Sequence, residues 1–153
     1  MNIFIDTNVI LENFIIREDY TTAHLLFQRL QEQKCQLYMS VGSFYTMIFL
    51  VDKYLKKECG LTGEDRVWSL RQIMTNILQA ICVAEHDNSS LLRAINNTKF
   101  KDIEDSCQYE LAEKAGCKYL LTFNTSDYPT EIGASVQVMT PQQYLGLSVS
   151  VGQ

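Results

Sequence analysis

The sequence predicts an α/β fold, a three-layer α/β/α sandwich around a mostly parallel sheet of about five strands, from three observations. Short runs of strand length alternate with helical patterns several turns long. Some of those runs, such as Ile3-Phe4-Ile5 and Tyr119-Leu120-Leu121, are apolar at consecutive positions, as strands covered on both faces require. Acidic or small polar residues follow the runs, at the ends where open α/β sheets bind their ligands.

The elements follow in order. Asn2 to Asp6 reads as a buried strand, with Thr7 or Asn8 capping a helix through Val9, Ile10, Leu11 and Phe14. Ala23, Leu26, Phe27 and Leu30 recur at three- and four-residue spacing and predict a helix over 20–33, whose polar face holds Gln28, Gln31 and Glu32. Leu37-Tyr38-Met39 is a strand closed by Ser40, and the helix over 43–57 that follows is apolar almost all round, the pattern of a buried or interfacial helix. Gly60 and Gly63 bracket a break before a helix over 65–79, which carries Val67, Leu70, Ile73, Met74, Ile77 and Leu78. Ile81-Cys82-Val83 is a third strand, and Asn88 caps a helix through Leu91, Leu92 and Ile95 that ends at Asn96-Asn97-Thr98. Asp102 opens a helix through Leu111 and Ala112, with Gly116 as its C′ residue. Tyr119–Thr122 and Val136–Met139 are the last two strands, and Pro141 starts a terminal helical turn. Right-handed crossovers join such units, and the strand order stays open.

At 153 residues the chain is expected to form one domain over 1–153 with a single site. A domain of this size hides roughly 68–70% of its unfolded surface. A hydrophobic fraction of 46%, with eight Tyr and seven Phe, excludes a disordered chain. No apolar run approaches the ~20 residues of a membrane span, and the N-terminus shows no charged-then-apolar leader, so a cytoplasmic protein without a membrane role is expected. The five cysteines (Cys35, Cys59, Cys82, Cys107, Cys117) are odd in number and lack CxxC spacing, which argues against a disulfide framework and a zinc ribbon. A net charge of −5 means that a polyanion would need a local patch, or bound cations that reverse the sign around clustered acids.

Four segments carry the candidate chemistry: Asp6-Thr7-Asn8, Ser40, Asp102-Ile103-Glu104-Asp105, and Thr122-Phe123-Asn124 with Asp127. Asp6 sits where a carboxylate points into the crevice beyond the sheet, with Thr7 and Asn8 available for capping. Asp102, Glu104 and Asp105 lie in the first turn of a helix, where the macrodipole favours anions by roughly 0.3–1 kcal/mol each, and the i, i+3 spacing sets Asp102 beside Asp105. Asp127, for which turn chemistry is the plain alternative, supplies the far side. Converged carboxylates are held ionised by a cation, and Mg²⁺ takes one or two of them while keeping several waters.

Other chemistries find no support. Among the two histidines, His24 on a helix face and His86 in a loop, there is no zinc spacing, and no phosphate-binding glycine loop or GxSxG elbow occurs. Lys53, Lys56 and Lys57 form a basic group on one helix face, for which solvation is the expectation. A receiver-type phosphoacceptor domain would need a lysine on the last strand, and Val136–Met139 holds none.

Ile5-Asp6-Thr7-Asn8, Asp102-Ile103-Glu104-Asp105 and Leu121-Thr122-Phe123-Asn124 with Asp127-Tyr128 together resemble the PIN domain over essentially the whole chain, most of all single-domain proteins of VapC toxin type. The resemblance implies a Mg²⁺- or Mn²⁺-dependent ribonuclease acting on single-stranded or loop RNA. Asp6, Asp105 and Asp127 would be its acidic ligands, with Glu104 and Asp102 as auxiliaries. Asn124 is assigned to the catalytic set, and Asn8, Ser40, Thr46 and Thr122 to supporting roles. The pattern departs at two places: Thr46 stands where the family carries a further acid, and Phe123 where many relatives have a basic residue. The alternative is therefore a catalytically degenerate PIN-like module binding RNA or a protein. The apolar stretches 44–55 and 11–16 are expected to serve as a homodimer face or a groove for an antitoxin protein.

Overall fold

A computed structural model describes residues 1–15, 17–129 and 135–147. Its sheet has five parallel strands: β1 (Asn2–Ile5), β2 (Gln36–Ser40), β3 (Cys82–Ala84), β4 (Tyr119–Leu121) and β5 (Gln137–Met139). They lie in the order β3-β2-β1-β4-β5. The helices between them are α1 (Thr7–Phe14), α2 (Tyr20–Glu32), α3 (Val41–Lys57), α4 (Gly63–Ala80), α5 (Asn88–Ile95), α6 (Ile103–Lys114) and α7 (Pro141–Leu147). The three-layer α/β expectation holds.

Alternation along the strands builds two cores. Ile3, Ile5, Leu37, Met39 and Leu121 face one way, into a cluster with Val9, Leu26, Met47, Val51 and Ile77 from α1 to α4. Phe4 and Leu120 face the other way, against Tyr109, Leu111 and Ala112 of α6. All five cysteines are free thiols, and burial pushes Cys117 up to about 12. No described helix is long and apolar enough to cross a membrane.

The strand order places the site. From β1 the chain winds outward through β2 to β3, then returns to the opposite side of β1 for β4 and β5. The reversal falls between β1 and β4, and ligands of open sheets bind at the carboxyl ends of strands on either side of such a switch. Asp6 follows β1 and Thr122 follows β4. Their backbones are joined where Asp6 N–H donates to the Leu121 carbonyl at 3.0 Å.

Three local readings are corrected. The cap of α1 is Asp6 itself, whose carboxylate accepts from Thr7 N–H at 2.7 Å; a carboxylate one residue ahead of the helix reaches that amide, so neither Thr7 nor Asn8 is needed. Asp87, not Asn88, caps α5, in a reciprocal box with Ser90. α4 starts at Gly63, two residues ahead of the expected start at 65, with Thr62 before it in extended conformation. Asp102 caps α6 as expected, accepting from Glu104 N–H at 2.7 Å and Asp105 N–H at 3.3 Å. Gly116 at φ +65° takes the left-handed position after that helix.

α3 is less buried than its composition implies. Met47, Val51 and Leu55 enter the core, while Tyr45 and Phe49 are each 67% exposed. In the stretch 11–16, Leu11 and Ile15 are core residues, and Ile16 lies outside the described residues.

Candidate metal centre

Asp6 is almost fully buried, yet donors surround its carboxylate. Thr7 N–H serves Oδ1 at 2.7 Å. Oδ2 accepts from Thr122 Oγ1 at 2.8 Å and from Asn8 Nδ2 at 3.1 Å. Burial raises its pKa, against which the Thr122 hydroxyl, the Thr7 amide and the Gln108 side chain favour the ionised form, while Asp127 opposes it. The pocket thus holds one carboxylate in a fixed orientation at the switch point.

The same polar residues tie the two strand ends together. Asn8 Nδ2 also donates to Thr122 Oγ1 at 3.2 Å, and Asn8 Oδ1 accepts from Phe123 N–H at 3.2 Å. Thr122 Oγ1 in turn accepts from Asn124 N–H at 3.1 Å. Asn124 precedes a short 3₁₀ turn, Thr125–Asp127, which carries the exposed Asp127.

The acids at the start of α6 share the electrostatics of Asp6. Asp105 is raised to about 6, by burial first and then by repulsion from Asp102, Asp6, Asp127 and Glu104. Every one of the five acids singled out by sequence therefore takes part in one electrostatic cluster. Asp102 has Oδ1 committed to the cap of α6.

Two candidates stand apart from it. Ser40 stands beside Asp6 when the β1–β2 register is followed two residues past Phe4↔Tyr38, but its hydroxyl caps α3 by accepting from Ser43 N–H at 2.9 Å and donating to Ser43 Oγ. Thr46 is exposed on the second turn of α3, and no described hydrogen bond links it to the acids. Asp52, further along α3, is 3.0 Å from Arg66 Nε of α4, without hydrogen-bond alignment at that nitrogen.

Two residues of the pocket have no role in the sequence reading. Gln108, buried one turn after Asp105, supports the charge on Asp6, and its Oε1 has no hydrogen-bond partner among the described residues. Its spacing of i, i+3 from Asp105 is the signal that could have found it. Tyr128, buried beside Asp127, has a hydroxyl without a hydrogen-bond partner among the described residues, and burial and the charges of Asp6, Asp105, Asp127 and Glu104 hold it strongly in the protonated form.

Do these residues suit a hard divalent cation? Among the described residues, no three acidic, histidine or cysteine side chains are already gathered closely enough to ligate one ion. The donor chemistry nevertheless fits: the acids offer oxygens only, they repel one another, and Mg²⁺ needs one or two carboxylates with water completing its shell.

Comparison with known proteins follows the same lines. Ribonuclease VapC1 of Aquifex aeolicus (strain VF5) is 27% identical over 144 residues, covering 93% of this chain and 92% of the relative. Among solved structures, VapBC2 from Rickettsia felis bound to a DNA fragment from their promoter shares the fold with a TM-score of 0.63 at 11% identity, over 92% of this chain and 98% of that one. FitAcB from Neisseria gonorrhoeae gives a TM-score of 0.66 at 17% identity, over 92% of this chain and 98% of that one. Residues 2–126 match the PIN domain family, and with the parallel sheet and its switch-point acids this assigns the chain: it belongs to the PIN domain family.

Proposed function

We propose that the chain is a ribonuclease of VapC type that hydrolyses RNA phosphodiesters with Mg²⁺ or Mn²⁺. The observation that carries this reading is the burial of Asp6 within a full set of donors, beside a cluster in which Asp105 feels the charges of Asp6, Asp102, Glu104 and Asp127. A structural Asp cap needs no such neighbours. The likeness to ribonuclease VapC1 supports the same conclusion.

Asp6, Asp105 and Asp127 would hold the cation, with Glu104 and Asp102 nearby to adjust the local charge. When bound, a divalent cation supplies positive charge for the phosphodiester and lowers the pKa of a bound water towards neutrality. Thr122 and Asn8 orient Asp6 by fixing Oδ2, and Gln108 backs the same carboxylate from α6. Asn124, exposed and tied to Thr122 through its backbone N–H, is the candidate polar contact for substrate. A dimer and a small antitoxin-like protein partner belong to this reading as well; the solved VapBC2 and FitAcB assemblies support the latter.

Incubating a mixed, structured RNA pool with wild type and with Asp6→Asn, in Mg²⁺ or Mn²⁺, tests the proposal. Cleavage by wild type alone is the expected outcome. Equal cleavage by both would remove Asp6 from the centre, and cleavage by neither would favour the degenerate binding module that the Thr at position 46 motivates.

A further inference from the structure

α3 carries a row of exposed residues at every fourth position: Tyr45, Phe49, Lys53 and Lys57. Residues four apart on a helix stand one above the other, so these side chains form a single ridge. The ridge extends over about 18 Å at 1.5 Å per residue. Its beginning lies near the acids, because α3 is capped by Ser40, which stands beside Asp6 at the ends of β2 and β1. Its far end enters a cavity of about 490 Å³ lined by Arg17, Lys53, Tyr54, Lys57 and Glu58 with Ile15 and Leu50.

The chemistry of the row changes along its length. Two aromatic rings, both 67% exposed, come first; two cations follow. Arg17 is engaged with Glu12 at 3.3 Å, whereas neither Lys53 nor Lys57 takes part in an ion pair among the described residues. A purely apolar partner would leave those two ammonium groups unmatched. Single-stranded nucleic acid needs both parts, since bases stack on exposed aromatic rings while the backbone follows positive charge. A chain of net charge −5 also requires such a local positive site to retain a polyanion.

We propose that the Tyr45-Phe49-Lys53-Lys57 ridge of α3 is a binding track for single-stranded RNA, leading from the acidic pocket to the cationic cavity between the ends of α1 and α3. The inference rests on the ribonuclease reading for the identity of the polymer. It does not rest on catalysis.

Binding of a fluorescein-labelled oligouridine 12-mer, followed by anisotropy in EDTA across a salt series, tests it. The wild type is expected to bind. Lys53→Glu with Lys57→Glu should weaken binding at least tenfold and reduce the salt slope by about 1.4, since each single-strand phosphate contact contributes about 0.7. Lys53→Gln with Lys57→Gln, which keeps neutral polar groups on the helix, should show the same slope change if the charge-reversed protein fails to fold. Tyr45→Ala with Phe49→Ala should weaken binding at least fivefold with the slope unchanged. Wild-type affinity in the lysine or the aromatic variants would overturn the track, as would absence of binding by wild type. Conversion of a dimer to a monomer by Tyr45→Ala and Phe49→Ala, with RNA binding intact, would assign the face to a second copy of the chain instead. A parallel cleavage assay in Mn²⁺ separates the two proposals: ridge-dependent binding without cleavage removes only the nuclease reading, and cleavage with ridge-independent binding removes only the track.

Discussion

Thr122 Oγ1 donates to Asp6 Oδ2 at 2.8 Å, joining residues 116 positions apart at the carboxyl ends of β4 and β1. The bond crosses the topological switch point and aims the buried carboxylate. Thr122→Val keeps the shape and removes the donor. A hydrogen bond to a charged group is worth about 1.5–3 kcal/mol, so urea unfolding at pH 7 should show a loss of that order, with Thr122→Ser close to wild type. Equal stability of the Val variant would mean that Asp6 is not held through this bond.

Asp105 gives the pocket a pH signature. Its folded pKa of about 6 lies above the ordinary 3.8, so the fold favours its protonated form. That stabilisation is fully present below 3.8 and is lost as pH rises through about 6. Between those limits wild type should lose stability relative to Asp105→Asn, in denaturant midpoints measured at half-unit intervals. Asp87, held at about 2 by the Ser90 backbone amide and by Lys114, acts with the opposite sign: its contribution is present above 3.8 and disappears as pH falls towards 2. Parallel curves for wild type and Asp105→Asn would contradict the crowding of the acids.

Tyr128→Phe removes a buried hydroxyl that has no hydrogen-bond partner among the described residues. An unsatisfied buried polar group costs roughly 1–3 kcal/mol, and the substitution should therefore leave stability unchanged or raise it by up to about 1 kcal/mol. Thermal unfolding of the metal-free protein is the check. A clear loss would show that the hydroxyl is satisfied in solution.

Gln108→Leu tests the support that α6 lends to Asp6. Loss of a residue that orients a ligand typically costs 10–100-fold in metal affinity or activity, which is the range expected for the Mn²⁺ concentration giving half-maximal cleavage. The fold should persist, since Leu suits a buried helical position. An unchanged Mn²⁺ dependence would leave Gln108 as a packing residue only.

Much of this was legible in the chain because it depends on local pattern. β1 and β4 declare themselves as runs of consecutive apolar residues, and the acids follow where polar residues end those runs. Asp102 reads as a cap because the helical period starts directly after it. What was not legible depends on choices between neighbours or on tertiary contact. Asp6 and Thr7, like Asp87 and Asn88, are adjacent capping residues, and side-chain reach decides which one serves. The order β3-β2-β1-β4-β5, and with it the position of the switch, follows from packing of the crossovers. Tyr45 and Phe49 count as apolar in any periodicity, yet only the placement of α4 and α1 against the opposite face of α3 reveals that they stay outside. Gln108 is a neutral amide, so the pattern of acids along α6 does not include it.

The claim on which the rest depends is that the carboxylates around Asp6 form one cation site. Calorimetric titration of Mn²⁺ into wild type and into Asp6→Asn, both checked for intact fold by circular dichroism, measures it directly. Saturable binding by wild type that is abolished in Asp6→Asn is the predicted result. Indistinguishable titrations of the two proteins, whether both bind or neither does, would contradict it.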